Sequence, residues 1–547
     1  MELAPECAIA WDGAALSILL GAIPLAVLLT LLTLFLYRRA VGRAMRAAAG
    51  EEAPVPAVPA ASPPTQPLQI VEVSQSQPLA PPLPPNLLAS IRSMRRLSLA
   101  YALAGLVHAT LATAIMFWLN DLEFRLFRSL AVWTVFAWPV VAVLMMTATA
   151  TRRQQGLLVG AYFTLLLALE IIAESFGLRE RPGFGELFVL WAIVMGPPTV
   201  VIALLANRAW RSVGLTTLFV SIVLVGAYLL GFQFVGCAIL TTQSVALLES
   251  RHYVLWGMVL ACGALAWLLL RRAARRYQAR LASDQMFTLD SWWLLVSALQ
   301  ILFQMGSSGA ASGLFLLAFA GYKLALGLGM RRFGLADQLG TPQSMLLLRV
   351  FGHATRARTL VDQVGQTWRH AGPINMIGGT DLATALLEPD ELMMFWSGKL
   401  RQGFVVSAAE LQSRIGHLDE TRDPDGRYRI NEFFCHDNTW RATVHALAQS
   451  SAVVLMDLRG FSKANRGCEF ELGLLLDEVP LDRVVLLADG STRTQDLEPL
   501  LHAAWGKLSA ASPNRDLAAP VLHLFRVEDS GQALRPLLAR LFAAANA

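Results

Sequence analysis

The sequence predicts two folds in one chain: a multi-span α-helical membrane domain, then an α/β domain built on a doubly wound, five-stranded parallel sheet. Three observations carry this. Of 547 residues, 55% are hydrophobic and only 16% charged, with a mean hydropathy of +0.49, whereas soluble domains carry about 25% charged residues. Apolar runs long enough to cross a hydrocarbon core recur between Ala14 and Met330. Beyond Gln343 short β-branched runs alternate with apolar patterns at helical spacing.

The first run, Ala14 to Leu36, predicts a membrane-anchoring helix within residues 1–50. Glu2 and Glu6 precede it in place of basic residues and no small-residue cleavage site follows, so it does not read as a cleaved signal peptide. Arg38, Arg39, Arg43 and Arg46 come directly after it and predict that this end is cytoplasmic, with the N-terminus outside. Residues 51–90 turn to Pro, Ala, Ser and Gln, with eleven prolines between Ala53 and Pro85. Such a stretch cannot bury a core and reads as a disordered, extended linker.

Residues 91–333 predict a polytopic domain of about eight helices. The runs are Ser98 to Trp118, Ser129 to Ala150, Gly156 to Ala173, Leu187 to Leu205, Leu215 to Val235, Tyr253 to Leu270, Trp292 to Met305 and Gly309 to Met330, which with the first make nine spans. Arg152 and Arg153, Arg208 and Arg211, the run Arg271 to Arg280, and Arg331 and Arg332 fall on one side, predicting a cytoplasmic C-terminal domain. The net charge of +5 thus reports topology and a bilayer partner rather than nucleic acid. Within the spans, polar groups are few: His108, Glu170, Gln300, Gln304 and Lys323. Glu170 and Lys323 lie near opposite ends and are expected to reach their own interfaces rather than each other. Pro197 and Pro198, in mid-span after Gly196, predict a kink. The five cysteines occur singly, which indicates neither a disulfide scaffold nor a zinc site, and no metal site is expected at Cys435, His436 and Asp437.

The α/β domain is expected over residues 343–547. Its strands are Met345 to Phe351, Ile374 to Ile377, Ala452 to Met456, Val484 to Leu487 and Val521 to Val527, with helices over Thr359 to His370, Asn438 to Ser450, the segment bearing Glu471, and the chain from Gln532. An insertion spans residues 380–437. It contains TRDPDGRYRINE, Thr421 to Glu432, whose acids and glycine superficially fit a calcium loop; Arg at the ninth position is a poor ligand, and a Pro-Asp-Gly turn leading into a strand is the better reading.

In doubly wound sheets the site lies outside the carboxyl ends of the strands. Those ends carry Gly352, His353 and Arg356; Gly378, Gly379 and Asp381; Asp457 and Arg459; and Asp489. Each residue alone has a local explanation in a turn, a cap or a solvated loop, but together they predict a binding cleft. Glu471 falls on the border of its helix's buried stripe, where a carboxylate can look into that cleft.

The segment from Ser451 to Asp477 also resembles a known family. The VVLMD strand, Ser462, Asn465 and then Cys468-Glu469-Phe470-Glu471-Leu472 are similar to the Ser...Cys-x-x-Glu-Leu segment of Toll/interleukin-1 receptor (TIR) domains. The resemblance covers roughly the last third of the chain and implies a flavodoxin-like, five-stranded sheet. In family members that cleave NAD, the glutamate of this motif is catalytic. The resemblance therefore implies Glu471 as catalytic residue, with Gly352, His353, Arg356, Gly379, Asp457, Arg459, Ser462 and Cys468 around an NAD substrate and no other cofactor. It equally implies a non-catalytic module that signals by self-association. Two features depart from the family: the insertion after the second strand, and Gly352-His353-Ala354-Thr355-Arg356 where a Ser or acidic residue is common. The Ala, Leu and Arg bias points to a bacterial inner membrane.

Overall fold

The computed structural model describes residues 11–47, 63–74, 83–147, 152–175, 184–205, 208–242, 244–335, 341–352, 354–379, 387, 389–416, 418, 420–527 and 535–546. His353, Asp381 and the masked parts of the linker and insertion lie outside these. The chain divides into two compact units. One comprises residues 1–36, 96–335 and 387–393, the other 37–95, 336–386 and 394–547.

The first unit is helical. Its helices are α1 (Trp11–Arg46) up to residue 36, α2 (Pro85–Leu119) from residue 96, α3 (Leu126–Thr147), α4 (Arg152–Ser175), α5 (Phe184–Val194), α6 (Gly196–Leu205), α7 (Arg208–Thr242), α8 (Val245–Gln278), α9 (Asp284–Ser308) and α10 (Phe315–Arg332). Among the described residues, six stretches are long and apolar enough to cross a membrane: α1, α2, α3, most of α7, most of α8, and Asp284–Arg332 taken together. Nine spans were expected from the sequence; three of the expected runs are not among these six stretches as separate helices. The run Leu187 to Leu205 is split into helices of 11 and 10 residues, because Gly196-Pro197-Pro198 ends one helix and starts the next. The last two expected runs are α9 and α10, joined through a 3-10 turn at Gly309–Leu314. The break before α6 is braced from outside: Trp292 Nε1 donates to the Pro198 carbonyl at 3.1 Å.

Two further expectations change in this unit. Lys323 has a partner that the sequence did not assign: its ammonium pairs with Asp290 of α9. Cys237 is disulfide-bonded, although the spacing of the cysteines gave no sign of a bridge.

The second unit is a parallel sheet covered by helices. Its strands are β1 (Gln69–Ser74), β2 (Met345–Arg349), β3 (Ile374–Ile377), β4 (Phe404–Val405), β5 (Ile430–Cys435), β6 (Val453–Asp457), β7 (Val484–Ala488) and β8 (Val521–Arg526). The order is β1-β8-β7-β6-β2-β3-β5-β4, with every pair parallel. The expectation of five strands is corrected to eight among the described residues. The five expected strands form the centre, β8-β7-β6-β2-β3, and the order reverses between β2 and β6. The insertion adds β5 and the two-residue β4 beyond β3.

The third added strand comes from the stretch expected to be a disordered linker. Gln69–Ser74, QIVEVS, alternates polar and apolar residues, and no proline falls between Pro67 and Pro78. Its amide row is therefore intact, and it can pair along the edge of β8 over six residues. Arg526 on β8 holds Glu72 at 2.6 Å.

Helices α11 (Ala354–Trp368) and α17 (Arg535–Ala544) cover one face of the sheet, and α14 (Trp440–Ser450), α15 (Arg466–Glu478) and α16 (Thr494–Trp505) the other. The strands feed both cores by simple alternation: Leu346 and Leu348 pack with Val444, Leu472 and Leu497, while Met345 and Leu347 pack with Leu360, Trp368 and Phe542. Burial on both faces explains why these strands read as continuous apolar runs. The insertion also carries α12 (Pro389–Trp396) and α13 (Ala408–Gly416).

The TRDPDGRYRINE segment is the expected turn. Gly426 sits at φ +78 and its N–H donates to the Asp423 carbonyl at 2.8 Å. The two carboxylates that resembled cation ligands are paired instead, Asp423 with Arg429 at 3.0 Å and Asp425 with Arg427 at 2.9 Å.

Candidate functional site

The reversal of strand order between β2 and β6 opens the crevice where ligands of such sheets bind. The last residues of these two strands, Arg349 and Asp457, are partners in the parallel register. Both are almost fully buried, at 3% and 4% exposure. A charged pair at the end of two otherwise apolar strands is costly unless each group finds a counterpart.

Asp457 finds it in Arg459, two residues on. Arg459 donates from Nε to Oδ1 at 2.8 Å and from Nη2 to Oδ2 at 2.7 Å, a bidentate grip. The same Nη2 donates to the Arg356 carbonyl at 3.2 Å, tying the loop after β6 to the first turn of α11. Arg356 in turn extends its guanidinium to the loop after β7: Nη1 donates to Ser491 Oγ at 2.6 Å and lies 3.4 Å from Asp489 Oδ2. Three strand ends are thus joined by two arginines. Gly352 lies between β2 and α11 at φ +96, a backbone conformation that strains any residue with a Cβ.

Arg349 was not singled out from the sequence, although a lone charge inside the run MLLLRVF is a signal. Its guanidinium carbon lies 4.8 Å from the centre of the Phe351 ring, which is 45% exposed. Arg349 is also the charged neighbour of Glu471.

Glu471 departs from its expected position. It lies inside the buried face of α15, at 3% exposure, rather than on its border. The helix is covered more broadly than one stripe, with Cys468, Glu471, Leu472, Leu474, Leu475 and Leu476 all buried. Burial pushes the Glu471 carboxyl up to about 8, against the pull of Arg349. Its Oε2 has no hydrogen-bond partner among the described residues. A buried polar atom without a partner is uncommon and marks a group held for something other than packing. Burial outweighs the neighbouring Arg349 and favours the protonated carboxyl.

Cys468, one turn earlier, is 3% exposed, and burial, with the neighbouring Glu471 acid, pushes its thiol up to about 12. It is a small apolar filler rather than a nucleophile. Ser462 accepts no substrate-like role here: its N–H and Oγ both bond Asn465 Oδ1, at 2.9 and 3.1 Å, bracing the loop that leads into α15. Gly379 is buried just beyond β3. Its neighbour Gly378 packs so closely on β5 that a Cβ there would meet Phe434 at 2.9 Å. Of the nine residues expected at the site, Arg356, Asp457 and Arg459 are directly linked, Glu471 and Cys468 lie on α15 beside Arg349, and Gly352 shapes the loop between. Ser462 braces the loop before α15, Gly379 lies just beyond β3, and His353 falls outside the described residues.

Cys435 and His436 have other partners in the structure. Cys435 Sγ contacts Thr443 Oγ1 at 3.3 Å, and His436 Nδ1 contacts the Ala44 carbonyl at 2.8 Å.

No family model matches this sequence, and no curated protein matches it either.

Proposed function

We propose that this chain is an integral membrane protein whose α/β unit is a cytoplasmic, TIR-like effector that cleaves NAD at the nicotinamide-ribose bond. The observation that carries the reading is Glu471: a buried carboxyl without a partner for Oε2, next to Arg349, at the point where the strand order reverses. Cleavage passes through a ribose with oxocarbenium character, water supplies the new C–O bond, and nicotinamide leaves neutral with the bonding pair. The positive nicotinamide-ribose of the substrate would draw Glu471 into its ionised form, and the carboxylate would then stabilise the developing cation. Arg356, 42% exposed and held over Asp489, is the guanidinium placed to meet the pyrophosphate. Because Glu471 is shut off from solvent, ribose contact requires the surface around Phe351 and Gly352 to open.

Membrane attachment is supported by the six long apolar stretches. The distribution of arginines supports an N-terminus outside, and the Ala, Leu and Arg richness supports a bacterial inner membrane. The disulfide at Cys237, near the end of α7 opposite Arg208 and Arg211, fits that end facing an oxidising compartment.

The test is direct: detergent-purified full-length chain is incubated with NAD and nicotinamide is measured, beside Glu471→Ala. Release that disappears in the variant supports hydrolysis. No release above a protein-free control rejects it. The closed state of Glu471 favours one second reading, a tethered scaffold that signals by self-association without turnover; concentration-dependent clustering that is unchanged in Glu471→Ala would support that reading.

A further inference from the structure

The C-terminal end of α8 carries a charged surface that neither reading of the sheet unit uses. Five arginines fall between Arg271 and Arg280, and no acid occurs between Glu249 and Asp284. The apolar run before them, Tyr253 to Leu270, is about 27 Å long at 1.5 Å per residue, close to the hydrocarbon core of about 30 Å. α8 continues as one helix to Gln278, so Arg271 stands where the hydrocarbon ends. From Arg271 to Arg276 the helix rises about 7 Å, and the headgroup layer on each side of a bilayer is about 5–8 Å thick. Arg271, Arg272, Arg275 and Arg276 therefore fall at the depth of lipid phosphates.

Their direction is as specific as their depth. Ala266, Leu270, Ala274 and Tyr277 are buried and form the packed stripe of this end of α8. At about 100° per residue the four arginines occupy the side opposite that stripe. Leu265, Leu268 and Leu269 lie on the same side one or two turns before them, at 57%, 59% and 49% exposure. Of the six long apolar stretches α8 is the least covered by protein, 17% buried where the others are 28% or more. All four arginines are exposed, and no hydrogen bond or ion pair with a described residue engages them. Asp290, the acid whose field Arg276 shares, already holds Lys323. Arg271 and Arg275, and Arg272 and Arg276, are four apart, so like charges stand on consecutive turns and repel. Orientation in a bilayer asks for basic residues at the end of a span, but not for their collection on one side above exposed leucines.

We propose that this end of α8 is a binding site for anionic phospholipid headgroups, with the acyl chains lying along Leu265, Leu268 and Leu269. The inference rests on the reading of α8 as a membrane span. Each guanidinium can meet a phosphate through two parallel N–H donors, and the phosphates relieve the repulsion between the stacked arginines. A zwitterionic headgroup brings its own cation to the same place and gains less. The leucines decide against nucleic acid or free phosphate, either of which would engage the arginines and leave the apolar surface beneath them in water.

The experiment reconstitutes full-length protein in phosphatidylcholine liposomes that contain a trace of spin-labelled phosphatidylglycerol or spin-labelled phosphatidylcholine. Electron spin resonance reads the fraction of each label immobilised against the protein. Phosphatidylglycerol is expected to associate about fivefold more strongly than phosphatidylcholine, the attraction of one surface arginine for anionic lipid. With Arg271→Gln, Arg272→Gln, Arg275→Gln and Arg276→Gln together, that preference is expected to fall by about half or more. Lys399→Gln, Arg401→Gln, Lys463→Gln and Lys507→Gln together remove the same charge from exposed positions of the sheet unit and leave it unchanged. Equal association of both lipids with the unaltered protein, a preference unchanged in the α8 variant, or an equal fall in both variants overturns the proposal. Failure of the protein to float with the liposomes rejects the membrane reading, and the proposal with it. If the α8 variant is recovered only as aggregate, Arg275→Gln with Arg276→Gln replaces it under the same criterion.

Discussion

Arg459 holds both oxygens of Asp457, at 2.8 and 2.7 Å, and through the same guanidinium fastens the start of α11. Asp457 ends a central strand and has 6% of its side chain exposed. Arg459→Ala would leave that carboxylate buried and uncompensated, at a cost of about 3–5 kcal/mol. Denaturant unfolding of the sheet unit in detergent measures it. Asp457→Asn combined with Arg459→Ala is expected to cost less than the sum of the two changes, because each alone strands a charge or donor that the pair removes together.

Glu471 makes the sheet unit less stable as pH rises. Its folded carboxyl titrates near 8, above the 4.5 of a free glutamate. Below about 4.5 both states are protonated and there is no penalty. Between there and about 8 the unfolded chain ionises while the folded one keeps its proton, so folding loses on the order of 5 kcal/mol across that window. Glu471→Gln, which cannot ionise, is expected to match the unaltered protein at pH 5 and to melt several degrees higher at pH 8.5. Thermal unfolding at the two values checks it; equal melting temperatures at both would show that the carboxyl is not held neutral.

If NAD is the substrate, Arg356→Ala should raise KM about tenfold and leave kcat within a factor of two or three, because the guanidinium meets the pyrophosphate and not the ribose. Its partly exposed pairing with Asp489 contributes little to stability. Steady-state nicotinamide release resolves the two constants, and a loss confined to kcat would place Arg356 elsewhere in the reaction.

Gly372, between α11 and β3, lies against backbone. A Cβ there would fall 1.9 Å from the Gln343 carbonyl oxygen. No rotamer relieves a clash with main chain, so Gly372→Ala is expected to displace the start of β2 and to abolish recovery of folded protein. Gly403→Ala, with open space around its Cβ position, is the matched control. Size-exclusion profiles compare them.

The central strands were legible because burial on both faces leaves an uninterrupted apolar run ended by Gly or Asp. The same rule concealed the others. β1 lies in a proline-rich stretch whose composition masks a six-residue alternation, and β4 is too short to have a pattern. α16 carries Pro499 inside it, which weakens any helical reading. At the site, Asp457, Arg459 and Arg356 could be read because strand ends can be counted. Arg349 was missed because it belongs to the strand itself, and Glu471 was placed on a border because one helix face was taken as the covered one. Asp290 was missed because it stands just before the apolar run that begins at Trp292, so Lys323 was left without its counterpart.

The pairing of β1 with β8 carries a consequence for how this protein comes into being. Glu72 and Arg526 are 454 positions apart in sequence, and all ten helices of the other unit except the first are made between them. A ribosome must add all the residues between β1 and β8 before this outermost seam can zip up, and such distant pairings form late. A gene fragment that begins after the helices would yield a sheet with β8 bare, an invitation to stick to its own copies; aggregation in that preparation would say nothing about signalling.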